Sequence, residues 1–151
     1  MNNLDRDFRV IELIFYSILS IQMFLAVTFY YLRSNNIISM EDIDFEYLPL
    51  LVLMINTFFI LSAKYFFTAR NKIDIKLPVE TKIQKYRLNT ILIVVLLDTA
   101  FLINLIIYLL NGSQIYLLVG ILVLILFIVY RPNKSNFYEI SLTSNERSEL
   151  L

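Results

Sequence analysis

One carboxylate, Asp98, stands inside the run "VVLLDTAFL" at residues 94–102, with no charged residue within ten positions on either side. A carboxyl group in that setting can carry a proton, form half of a catalytic acid pair, or hydrogen-bond between helices. The composition removes most other chemistry. The 151 residues include no Cys and no His. Thiol nucleophiles, disulfides, the commonest general base and the commonest metal ligand are therefore absent. Haem held by His is excluded on the same ground. Gly occurs only twice, too rarely for a glycine-rich phosphate loop. An intramembrane aspartyl protease needs two facing Asp residues, and only one lies mid-run. No metal-ligand constellation can be assembled, so no cofactor is implied. The formal net charge of zero gives no basic surface for nucleic acid.

Other polar groups share the depth of this acid. Gln22 lies near the middle of a first apolar run and Asn56 near the middle of a second, with Thr57 and Thr99 beside them. In lipid such side chains turn inward and bond across helices. The expected arrangement is an intramembrane polar cluster of Gln22, Asn56, Asp98 and Thr99, built on an Asp98–Asn56–Gln22 contact. Asn104, Tyr108 and Asn111 follow at helical spacing, a polar stripe leading outward. An Asp at mid-span costs about 3 kcal/mol to insert, while sixteen Leu, Ile, Val and Phe residues in the same run return roughly 5–10 kcal/mol. Insertion therefore needs no ion pair, and no Lys or Arg shares the depth of Asp98. A lone acid without a basic relay partner is expected to act as a hydrogen-bonding group of the bundle, with a small proton- or solute-coupled transporter using Asp98 as the alternative.

These residues need elements to hold them. Hydrophobic residues make up 58% of the chain and mean hydropathy is +0.68, beyond the range of an ordinary soluble domain. Four apolar runs read as membrane spans, at about 10–32, 47–68, 88–110 and 115–130. Together they predict an all-α fold, an integral membrane four-helix bundle forming one domain over residues 1–151. The first run is about twice the length of a signal-peptide core and lacks a small-residue cleavage site, so it reads as a retained helix.

Charge gives the orientation. Between the first two runs stand Glu41, Asp42, Asp44 and Glu46 with one base, Arg33. Between the second and third stand Lys64, Arg70, Lys72, Lys76, Lys82, Lys85 and Arg87 with only Asp74 and Glu80. By the positive-inside rule the basic loop is cytoplasmic, and both termini with it. The localisation expected is the cytoplasmic (inner) membrane. Pro78 suits a helix start, so "PVETKIQKYRLN" is predicted to run unbroken into the third span. That helix would lift Lys82, Lys85 and Arg87 above the bilayer as a cytoplasmic basic face, for anionic headgroups or for a partner. "NGSQ" predicts a tight antiparallel hairpin between the last two spans. Tyr30, Tyr31, Tyr47, Tyr108, Tyr116 and Tyr130 fall at span ends, as an interfacial belt would. In the tail, Thr143 and Glu146 have capping-box spacing and predict a short helix.

Three stretches, "FRVIELIFYSILSIQMF", "YRLNTILIVVLLDTAFL" and "YRPNKSNFYEISLTSNE", together resemble a family of small four-span membrane proteins of Bacteroidota. The similarity rests on Phe8, Gln22, Tyr86, Arg87, Arg131, Pro132 and Leu142, with an acid at the position of Asp98 and a departure at Ile93, where the family often has Arg. The resemblance implies the four-span fold and weight on position 98; members of that family carry no assigned activity, so it implies nothing about a substrate. The expected function is a non-enzymatic membrane protein, an oligomer or an accessory subunit of a complex. Its partners would be the lipid bilayer and itself or another membrane protein.

Overall fold

The computed structural model describes residues 3–35 and 47–142. They form five α-helices: α1 Asn3–Ser34, α2 Leu48–Arg70, α3 Val79–Asn111, α4 Gln114–Val129 and α5 Lys134–Ser141. No strand occurs among the described residues. The acidic segment with Glu41, Asp42, Asp44 and Glu46 lies outside them, as does the expected tail helix with Thr143 and Glu146.

The boundaries have local causes. Pro78 stands at φ −57° and ψ 146° directly before α3, and its carbonyl accepts the Lys82 N–H at 3.1 Å. From there α3 runs 33 residues without a break, about 50 Å at 1.5 Å per residue. It stops at Gly112, whose φ of 75° suits glycine and whose N–H returns to the Tyr108 carbonyl at 2.8 Å. Two residues later α4 begins, which makes the expected hairpin. The Arg33 guanidinium lies where a Gly112 side chain would project, so the outer end of α1 touches this turn.

Helix α3 is the axis of the bundle: α1, α2 and α4 all pack on it. On α1 the inward stripe is Phe8, Ile11, Phe15 and Gln22, at spacings of three, four and seven. The rest of α1 and α2 is apolar and uncovered, with Phe24 at 71% exposure, Phe58 at 64% and Leu53 at 63%. Faces of that size are not sustained in water. Helices α1, α2 and α3 are long and apolar enough to cross a membrane, which marks a membrane protein. At 16 residues α4 is a shorter apolar helix, about 24 Å long.

Three cores follow one another along the bundle. The central one joins Phe15 of α1, Ala63 of α2, Ile93, Leu97 and Phe101 of α3, and Val123 and Phe127 of α4. Phe15 stacks on Phe127 with ring centroids 4.6 Å apart. At one end Phe8, Tyr86 and Phe137 form a triangle of rings with centroids 5.0–5.3 Å apart. Ile73, from the basic α2–α3 linker, joins that cluster. The start of α1 and the whole of α5 therefore sit at the linker end. At the other end Val52, Tyr108 and Tyr116 form a small third core. This corrects part of the expected aromatic belt. Tyr108 and Tyr116 are buried, whereas Tyr30, Tyr31 and Tyr47 are exposed.

Candidate functional site: polar pairs within the bundle

Gln22 and Asp98 meet as expected. Gln22 occupies the buried stripe of α1 at 1% exposure, and its Nε2 donates to Asp98 Oδ1 at 2.7 Å. Asp98 itself is half-buried. Gln22 Oε1 is enclosed and accepts no hydrogen bond.

Asn56 does not join them. It pairs with Asn104 on α3, which donates from Nδ2 to Asn56 Oδ1 at 2.7 Å. In return Asn56 Nδ2 donates to Asn104 Oδ1 at 3.3 Å. Each Nδ2 also donates to a carbonyl four residues back in its own helix, Val52 at 2.8 Å and Ala100 at 2.7 Å. The single Asp98–Asn56–Gln22 contact is thus replaced by two separate pairs. Geometry explains the division. Asp98 and Asn104 lie six residues apart on α3, about 9 Å along the axis and about 120° around it. Helices α1 and α2 pack on different faces of α3, so their amides find different partners.

Thr99 is also corrected. Its hydroxyl donates to the Val95 carbonyl of its own helix at 2.8 Å. Thr57 does the same to Leu53 at 2.7 Å. A hydroxyl that bonds back to the preceding turn is satisfied without a neighbour. Of the outward stripe, Asn104 and Tyr108 are buried. A pocket of about 390 Å³ opens between α2 and α4, lined by Pro49, Val52, Leu53, Ile115 and Val119. It reaches Asn56 at one side and Asn111 at the turn.

At the linker end, Lys85 and Arg87 are exposed, as a basic face requires. Lys82 is not part of that face. It is fully buried, at 0% exposure, beside Ile83 and Tyr86 and with its side chain engaged. One helical turn separates Lys82 from Tyr86, so it shares the inward stripe of α3. The residue missed at this end is Arg70, the last of α2, at 2% exposure. Its guanidinium donates to the Tyr130 carbonyl at 3.0 Å and the Arg131 carbonyl at 3.4 Å. It also lies over the Phe67 ring at 4.9 Å and the Tyr86 ring at 5.3 Å. Those carbonyls directly follow Val129, the last residue of α4, so Arg70 caps the C-terminal end of α4 and complements its dipole. In the sequence Arg70 is one base among seven in a basic segment, and nothing local distinguishes it.

Among the described residues no group of three or more His, Cys, Asp or Glu gathers to hold a metal. No protein-family model, curated protein or solved structure matches the chain.

Proposed function

We propose that the chain is a non-enzymatic integral membrane protein of four spans that works within an assembly, with copies of itself or as an accessory subunit of a larger membrane complex. The observation that carries this reading is how the mid-depth polar groups are used. Asn56 and Asn104 satisfy each other, and among the described residues the side chain of Asp98 bonds only to Gln22. They do not converge on a reaction space. Between Tyr86 and Asp98 the inward residues of α3 are Thr90, Ile93, Val94 and Leu97, all buried. Thr90 bonds back to the Tyr86 carbonyl at 2.8 Å and accepts from the Arg70 guanidinium at 3.5 Å, and along this stripe the apolar Ile93, Val94 and Leu97 separate it from Asp98.

In this reading α4 is the fourth span, and the basic linker faces the cytoplasm with both chain ends beside it. The bilayer is the inner membrane, and the resemblance to the Bacteroidota four-span family belongs to the same reading. Lys85 and Arg87 then stand at the headgroups. A second reading is a small proton- or solute-coupled transporter using Asp98; the pocket of about 390 Å³ reaches Asn56 and not Asp98, so it favours that reading only for a solute held between α2 and α4.

The test is the mass of the particle extracted in mild detergent. A multiple of the 17.9 kDa chain, or a stoichiometric second protein, is expected. A lone chain under every mild condition would contradict the assembly.

A further inference from the structure

We infer that the seam between α1 and α3 at Asp98 is the contact surface for a second copy of this chain, related by a two-fold axis along the membrane normal. The inference rests on the assembly reading above and names its contact.

Asp98 is held by Gln22 through one carboxyl oxygen only. The other accepts nothing and, unlike Gln22 Oε1, is not enclosed by the chain. Asp98 thus stands half-buried near the middle of the third apolar run, one helical turn from the exposed Val95. Hydrocarbon can neither donate nor accept a hydrogen bond, so an uncovered polar atom there is costly. Acids in spans are found facing protein or water. One turn inward from Asp98 the two helices enclose a small apolar groove, lined by Ile14 and Ile18 on one side and Ile91 and Val95 on the other. Ile21 and Val95 flank the acid at 58% and 53% exposure.

A second copy suits this surface because a carboxyl group, in its protonated form, is self-complementary: its O–H donates and its C=O accepts, and the inferred contact includes that proton. The membrane orients every copy alike, so a two-fold axis along its normal brings Asp98 to the same depth as Asp98 of the partner subunit. Such a contact is isologous, each chain using the same patch. Asp98 Oδ1 keeps one lone pair after accepting from Gln22. Each acid can then donate to that oxygen across the axis, with no other group required. The exposed Ile21 and Val95 side chains close around the pair.

The chain lacks Cys, so single cysteines report contacts cleanly. Val95→Cys, oxidised in native membranes with a lipid-soluble oxidant, is expected to give a disulfide-linked dimer as the main product. Phe58→Cys, on the uncovered face of α2, is expected to stay monomeric. Adding Asp98→Leu to Val95→Cys should reduce the cross-link at least tenfold, and Asp98→Asn, whose amide also donates and accepts, should retain it. The Val95→Cys result decides the matter even where Asp98→Leu fails to fold. Val95→Cys that stays monomeric, or that links to a different protein, overturns the inference. If the extracted particle is still an assembly, only this contact falls; if it is a lone chain, the assembly reading falls as well.

Discussion

Asn104 shows how a buried amide is satisfied without water in this molecule. Its two N–H protons go to Asn56 Oδ1 and the Ala100 carbonyl, and its oxygen accepts from Asn56. Removing one partner strands the other in an apolar core, while removing both leaves nothing unsatisfied. Asn56→Leu or Asn104→Leu alone should therefore destabilise the folded protein by about 1–2 kcal/mol, in the upper part of the range for such bonds in membranes. The double variant should be less destabilised than the sum of the two. Thermal unfolding in detergent measures this cycle, and additive losses would contradict the pairing. The polar residues and their rough position within each apolar run were legible in the sequence, because position is counted along a helix at 1.5 Å per residue. The partners were not legible. Counting along the apolar runs put Gln22 and Asn56 at one depth, yet Gln22 meets Asp98 and Asn56 meets Asn104, about 9 Å further along α3, because each helix approaches α3 from its own direction and at its own height. A single sequence carries that information only through stripes such as Phe8, Phe15 and Gln22 at seven-residue spacing. Lys82 shows the same limit, being basic in type and interior in position.

At the scale of elements, α3 was readable from end to end. Pro78 marks its start and Gly112 its stop, and the structure places both directly outside the helix. Helix α5 was not foreseen. "KSNFYEIS" is polar and short, and its contribution to the fold is Phe137 against Phe8 and Tyr86. A helix of eight residues draws its stability from such tertiary contacts and not from propensity. The end of α4 was hidden in the same way, since its cap comes from α2. Arg70→Met keeps much of the apolar stem and removes the donors to the Tyr130 and Arg131 carbonyls. A loss of about 2–3 kcal/mol is expected, in the range for hydrogen bonds to a charged donor. Arg70→Lys should recover only part, because an ammonium does not reproduce the planar fork. Unfolding of the two variants in detergent checks this. Equal stability of Arg70→Met and the parent would show that Arg70 does not cap α4.

For the whole molecule, one central helix with three neighbours leaves α1 and α2 buried along one stripe each. Their remaining surface is available to lipid and to other protein. The four apolar runs and the all-α class could be read from composition because a membrane helix needs about 20 apolar residues. The sharing of the polar groups among helices required the three-dimensional packing. The central claim is that Asp98 bonds the bundle together and does not move protons. A carrier must meet water from each side in turn, and on the inward stripe of α3 between Asp98 and the linker end Ile93, Val94 and Leu97 are apolar and buried, with Thr90 the one polar side chain of that stripe. The direct measurement is proton flux into liposomes containing the purified protein under an imposed pH gradient. The account predicts no flux above empty vesicles. Flux that the Asp98→Asn variant abolishes would contradict it and make transport the function of this acid.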